Sequence, residues 1–308
     1  MITELQLLVA VLLDTVFGDP KRFHPLAGFG HIALKIESFL YGSQSINNSQ
    51  RKFRGVVAWA LVVLPLVALT AWLTQDSASA SLIIGTLLLY VTLGSQSLGQ
   101  HAMAVSTALV NKDIVQARQQ IQMMVSRDTA KMQDSDISRA TIESVLENGN
   151  DAIFAAIFWF LILGAPGVVL YRLANTLDAM WGYRNARYHA FGWFAARVDD
   201  GLNWMPARLT ALTYALVGKT RQAFFCWKTQ AKQWKGFNPG VVMSAGAGAL
   251  GLELGGAAQY HGQVVARPAL GQGAQPNALD IKRSVQLVQR SLWLWLIIIF
   301  IAGVFYAV

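Results

Sequence analysis

The chain has 308 residues, 54% of them hydrophobic and 14% charged, and its mean hydropathy is +0.39. That balance excludes an ordinary soluble globular domain and predicts an integral membrane protein. A formal net charge of +8 and a pI near 9.7 suit anionic ligands, although cytoplasmic loops rich in Lys and Arg would produce much of the same excess. The single cysteine, Cys226, excludes an internal disulfide and a CxxC metal or redox pair.

In chain order, the first apolar run is Leu5 to Phe17, preceded by Glu4 and ending in FGDP without a small-residue cleavage site. It reads as a retained membrane segment, a span near 3–17, and not as a signal peptide. It is short and contains Asp14. GDPKRFHPLAGFG follows, where two prolines and three glycines impose a turn around His24. GVVAWALVVLPLVALTAWLT (55–74) is long enough to cross a bilayer, and a second crossing fits 79–98, with no Lys or Arg between Gly55 and Asn111.

SRDTAKMQDSDISRATIESVLENGNDAIF (126–154) has a helical pattern in which Arg139, Glu143, Glu147 and Asp151 recur every four residues and share a face. This stripe has two readings of equal weight. One is a solvated, ion-paired face. The other is metal or substrate contact, since magnesium takes one or two carboxylates plus phosphate oxygens, and Asn148 and Asn150 add oxygen ligands beside the stripe.

AIFAAIFWFLILGAPGVVLY (152–171) is apolar throughout, but GAPG at 164–167 breaks a helix near its middle. Lys and Arg number six in 18–54, five in 99–151, four in 172–204 and nine in 219–290, and none in 75–80. A re-entrant or broken hairpin over 152–171 keeps all four basic segments on the cytoplasmic side, whereas a plain crossing exports 172–204.

The stretch 175–209 sets Arg184, Arg187, Arg197 and Arg208 among Tyr183, Tyr188, Phe191, Trp193 and Trp204, with Asp178, Asp199 and Asp200 between them. Guanidinium forks suit phosphates and carboxylates, and aromatic faces cover planar ligands. An interfacial belt with snorkelling arginines explains the rings. It leaves Asn175, Asn185, Asn203 and the aspartate pair unexplained. The aspartates and the adjoining apolar runs argue against a nucleic-acid groove.

A partial apolar segment covers 205–218, and GAGALG (246–251) lacks the preceding strand and later acidic residue of a dinucleotide fingerprint. Its small residues suit close helix packing or a backbone loop near a ligand. No P-loop is present, and SLWLWLIIIFIAGVFYAV (291–308) is the last span. The expected fold is an all-α integral membrane protein in one membrane domain. It has about four transmembrane helices plus a re-entrant or broken helical hairpin, with cytoplasmic helical loops.

Several motifs, in order and at nearly the right spacing, resemble the adenosylcobinamide-phosphate synthase family of cobalamin biosynthesis. They are GDP-x3-HP (18–25), RKFRG (51–55), VSRDT (125–129), RATIES-x2-EN-x2-D (139–151), the long block from PG to PARLTAL (166–212), LGG-x3-Y-x-G (254–262) and RPALG (267–271). The likeness runs through most of the chain. The chain departs from the family at Asp151-Ala152 with Ala156, and at Asn238-Pro239-Gly240-Val241. The same superfamily includes a membrane protein linked to ampicillin-resistance signalling, so the alternative is a non-enzymatic membrane sensor or transporter; Asp14 and the broken 152–171 element would suit a transporter.

The resemblance implies ATP-dependent ligation of adenosylcobyric acid to aminopropanol phosphate or ethanolamine phosphate, through an acyl phosphate, with ATP and Mg2+ required. On that reading we expect Glu143, Glu147 and Asp151 to hold the metal, with Asp128 and Asp178 in reserve. Arg184, Arg187, Arg197 and Arg208 go to phosphates, with Arg197 and Arg208 as catalytic residues, and Asp199 or Asp200 to the amine. Asn175, Asn185 and Asn203 go to corrin amides, and His24, Arg127, Asn148, Asp178, Tyr188 and Asn238 to substrate. It places the active site on the cytoplasmic side of the bacterial inner membrane. The partners are these small molecules and membrane lipid, without nucleic acid. Homo-oligomers and contacts with other membrane enzymes of late cobalamin assembly are left open.

Overall fold

The computed structural model describes residues 2–20, 25–42, 46–183, 185–260 and 262–307. In chain order the helices begin with α1 (Ile2–Phe17), α2 (Pro25–Leu40), α3 (Asn48–Gln75), α4 (Ala78–Thr92), α5 (Ser95–Val110) and α6 (Ile114–Gln122). They continue with α7 (Asp134–Gly149), a π turn (Asn150–Phe154), α8 (Ala155–Trp181), α9 (Tyr188–Phe191) and α10 (Trp193–Leu202). After α11 (Trp204–Val217), α12 (Thr220–Gln230) and α13 (Phe237–Leu250) come β1 (Glu253–Gly255), β2 (Ala258–Tyr260), β3 (Gln263–Val265) and β4 (Ala269–Gly271), then α14 (Ala278–Ala307).

The protein is an all-α membrane protein in its main architecture. Four helical stretches are long and apolar enough to cross a membrane: Asn48–Gln75, Ala78–Val110, Asp134–Trp181 and Ala278–Phe305. α1, expected as a span near 3–17, has only 16 residues, short of the ~20 that a bilayer core requires. The expectation of helical loops alone misses 251–274, where β1 pairs with β4 and β2 with β3 as two antiparallel ribbons.

Residues up to Gly94 with Ala155–Asn203 form one compact unit, and Ser95–Phe154 with Trp204–Tyr306 form a second. In the first, α3 starts at a capping box in which Asn47 and Gln50 each accept the other's backbone N–H. α1 is tied to α4 by the Gln6 amide, which donates to the carbonyls of Ser81 and Leu82, and by the Tyr90 hydroxyl, which donates to the Gly18 carbonyl.

The core of this unit stacks Trp59 against Phe194, and Phe191 against both Trp181 and Tyr41. Two motif glycines make that core possible. A Cβ at Gly55 would overlap the Phe191 carbonyl, and one at Gly192 the Trp181 carbonyl.

The GAPG break acts as read from the sequence. Gly164 takes φ 64° and ψ −150°, outside helical values, a conformation suited to glycine. Beyond it, a Cβ on Gly167 would strike the carbonyl of Trp159. In a straight helix these residues lie about 12 Å apart, so the chain folds back on itself here and 152–171 is a helical hairpin.

In the second unit α13 packs closely on its neighbours through small residues. A Cβ on Gly248 would meet the Ala223 Cα and the Gln222 carbonyl at 2.8 Å, and one on Gly246 would meet the Leu146 side chain at 2.7 Å. GAGALG is thus a helix-packing surface. At the π turn, the Asn150 N–H bonds to the Glu147 carbonyl and the Tyr214 hydroxyl donates to the Leu146 carbonyl.

Candidate functional site

In the second unit, α7 carries Glu143 to a position 1% exposed. Its two oxygens accept from Arg127 at 2.6 Å and from Arg267 at 3.0 and 3.2 Å, and from the Gly255 N–H at 2.8 Å. Arg267 also donates to the Gly256 carbonyl at 2.9 Å and lies 5.0 Å from the Trp234 ring centroid. One buried carboxylate therefore fixes two guanidiniums and the turn after β1. A buried charge left without such partners would be strongly unfavourable.

These arginines border a cleft of about 280 Å³, whose lining includes Ser126, Glu147, Asn148, Trp234 and Tyr260. The Asn148 amide is held by the carbonyl and hydroxyl of Ser144, at 2.9 and 3.1 Å. Arg208 donates to the Trp204 carbonyl at 2.6 Å and the Asn238 side chain at 3.2 Å, and burial lowers its pKa. Pro239 is accommodated because it stands in the first turn of α13, where a missing N–H costs nothing.

The four-residue acidic stripe is not a ready-made cation cage. Among the described residues, no three His, Cys, Asp or Glu side chains gather to hold a metal. Glu143 is turned inward onto arginines. Asp128 accepts the Gly262 N–H at 2.7 Å. Asp151 follows the change from α to π winding and accepts from the Asn150 amide at 2.8 Å. Arg139 pairs with Asp136 and donates to Gln275. Glu147 lines the cleft together with Glu143.

The first unit holds the dense block as far as Asn203. The Arg187 guanidinium donates to one oxygen of Glu37 at 2.8 and 2.6 Å, and the other oxygen accepts from Trp181 at 3.0 Å and Tyr188 at 3.3 Å. This contact raises the pKa of Arg187 above its ordinary value. Asp199 accepts the amides of Asn175 at 3.2 Å and Asn203 at 3.1 Å on a single oxygen, and Tyr171 donates to Asn203 at 3.1 Å. Burial pushes the Asp199 carboxyl up to about 6, against the pull of the two amides. Two of the three asparagines assigned to corrin amides, Asn175 and Asn203, are thus engaged with Asp199. The third, Asn185, accepts the Tyr188 N–H at 2.9 Å, at the start of α9.

Tyr188, Arg197 and Asp200 line a second cavity. Asp178 lies near the end of α8, where its carbonyl accepts the Gly182 N–H. His24 and Arg184 lie outside the described residues.

The sequence reading passed over Glu37, Arg267, Trp234, Lys52 and His189. Glu37 was detectable as a lone carboxylate in an apolar helix, and Arg267 and Lys52 stand inside the motifs RPALG and RKFRG.

The CobD/Cbib protein family matches residues 7–288. The chain belongs to the CobD/Cbib family. It is 52% identical over 305 residues to the cobalamin biosynthesis protein CobD of Stutzerimonas stutzeri, covering 98% of this chain and 99% of that one. It is 52% identical over 299 residues to that of Chromobacterium violaceum, covering 96% and 95%, and 37% identical over 287 residues to that of Mycobacterium tuberculosis, covering 91% and 89%. No solved structure matches it significantly. Within this CobD/Cbib chain, the two glycines that admit Phe191 and Trp181, and the Glu143 contacts with Arg127 and Arg267, give the family resemblance a physical basis.

Proposed function

We propose that this protein is an ATP-dependent amide ligase of cobalamin biosynthesis, joining adenosylcobyric acid to (R)-1-amino-2-propanol phosphate or ethanolamine phosphate to give adenosylcobinamide phosphate. The observation that carries this reading is similarity to cobalamin biosynthesis proteins along nearly the whole of both chains. Fixed guanidiniums bordering a polar cleft support it, because phosphoryl transfer is served chiefly by positioned positive charge. That identity also favours the ligase over a sensor or transporter.

The chemistry has a definite demand. A carboxylate is a poor electrophile and its oxygen a poor leaving group. Transfer of the ATP γ-phosphoryl to it releases ADP and makes an acyl phosphate. The amine then attacks the carbonyl carbon, the C–O bond to phosphate breaks, and the amine proton must be taken up.

Arg127 and Arg267 are placed to bind phosphate oxygens, with the Trp234 ring beside them. Glu147 and Asn148 offer the carboxylate and amide that magnesium would need besides phosphate oxygens, and the metal would neutralise phosphate charge. Asp199, partly buried and with its carboxyl pushed up to about 6, is suited to accept the amine proton. Because ATP is cytosolic, the reading requires an active site on the cytoplasmic side of the inner membrane.

The test is purified protein with ATP, magnesium, adenosylcobyric acid and aminopropanol phosphate. ADP and amide product are expected to appear in equal amounts, and neither when any substrate is withheld. ADP release that ignores the corrinoid, or no product at all, defeats the proposal.

A further inference from the structure

We infer that the cavity in the first unit bordered by Lys52, His189, Arg197 and Asp200 binds a small aminoalkyl phosphate, phosphate toward the cations and ammonium toward Asp200. The assignment rests on the ligase reading and extends it to residues outside the sequence expectation.

Four observations support it. The cavity is about 270 Å³, at the low edge of the ~300–1,000 Å³ range of drug-sized ligand sites. That space suits a molecule of few atoms and is too small for a corrinoid.

The charges are also complementary. Among the described lining residues the cations Lys52 and Arg197 outnumber the carboxylate Asp200 by one, with the His189 imidazole beside them. An aminoalkyl phosphate monoester carries about −1.5 to −2 on phosphate at pH 7 and +1 on its ammonium. A site for phosphate alone would have no use for the carboxylate.

Two contacts orient the charged groups. Lys52 Nζ lies 5.1 Å from the Trp193 ring centroid, a cation–π contact that fixes the ammonium over the ring. Arg197 and Asp200 stand one turn apart on α10, 3.9 Å from each other. A ligand's phosphate would meet Arg197 and its ammonium Asp200.

The wall is braced from behind. Tyr188 lines the cavity and its hydroxyl donates to Glu37, which is itself clamped by Arg187 and Trp181.

The same chemistry has a second source. Lys52 lies near the start of the apolar α3, where phospholipid headgroups are at hand, and phosphatidylethanolamine presents an aminoalkyl phosphate as a diester. The diester carries one phosphate charge fewer, so its headgroup is neutral, and the excess of cations in the lining favours the free monoester.

The experiment is calorimetric titration of full-length protein in phosphatidylcholine nanodiscs, without ATP or corrinoid, using ethanolamine phosphate and then inorganic phosphate. Saturable binding of ethanolamine phosphate is expected, weakened about tenfold or more by Lys52→Met and by Asp200→Asn, with Lys52→Arg restoring most of it. Inorganic phosphate should bind more weakly and respond to Lys52→Met but not to Asp200→Asn. Unchanged melting temperatures establish that the variants fold, and if one variant fails the other still decides. Loss of the titration when phosphatidylethanolamine replaces part of the lipid would make the headgroup the occupant and overturn the inference. No binding by the wild-type protein, or binding by both variants as tight as that of the wild type, overturns it as well.

Wild-type turnover separates the two proposals. Binding without amide synthesis keeps the pocket and removes the ligase. Turnover with an unchanged KM for the amino-alcohol phosphate in both variants keeps the ligase and removes the pocket.

Discussion

Asp199 accepts both asparagine amides on one oxygen, and burial holds its carboxyl near 6. If it takes the amine proton, kcat/KM falls as pH drops through about 6, because the protonated carboxyl can no longer accept. Asn175→Ala removes a hydrogen bond to the charged form, so the acid limb should move to higher pH. A pH-rate profile in the two proteins checks this, and an unmoved limb would separate Asp199 from the proton transfer. Arg197→Ala should abolish ligation while the protein still inserts and folds; unchanged turnover would take Arg197 off the site.

Glu143 makes a different prediction at the same scale. Glu143→Ala leaves two guanidiniums without their carboxylate and should cost about 3–5 kcal/mol. Arg267→Ala leaves Glu143 paired with Arg127 and should cost less. Denaturant midpoints order the two. The four-residue spacing in RATIES-x2-EN-x2-D revealed that these side chains share a face, but not what faces them. Arg127 is 16 and Arg267 124 residues from Glu143, a pairing no local pattern encodes.

At the scale of elements, helices follow from local sequence and their termini from a few side chains. The break at Gly164 is legible in the sequence because it acts within a few residues; the capping box at Asn47 is equally local but went unread. GAGALG was readable as a small-residue surface, and the structure supplies its neighbour. Gly248→Ala would push a methyl group into the backbone of α12, costing about 1–3 kcal/mol by overpacking. Thermal unfolding should show the loss, while alanine at Gly201, where a Cβ meets nothing, serves as the control. The ribbons of 251–274 escaped prediction because their strands are three residues long, too short for a period-2 pattern to register.

For the whole molecule, the proposed ligase reading requires 185–200 to face the cytoplasm, as the positive-inside rule also expects. In a Cys226→Ala background, single cysteines at positions 189 and 197 should react with a membrane-impermeant maleimide only in inverted vesicles. A cysteine at position 76 should react only from the periplasm. Cys226 is buried, so its removal should not disturb the readout. Labelling of 189 and 197 from outside would place them beyond the reach of cytosolic ATP.

The sequence by itself determined that the chain is apolar enough for a membrane, where its long helices run, that 152–171 breaks at GAPG, and which block concentrates the charged and aromatic residues. Hydropathy, periodicity and turn chemistry are properties of neighbouring residues, so they need no fold to be read. Only the tertiary structure decided that Glu143 and Glu37 are spent on holding arginines, that Asn175 and Asn203 tune Asp199, and that Lys52 meets Arg197 and Asp200 at one cavity. Those roles depend on which opposite charge lies within a few ångströms. The chain folding back on itself, and no spacing along it, sets that distance.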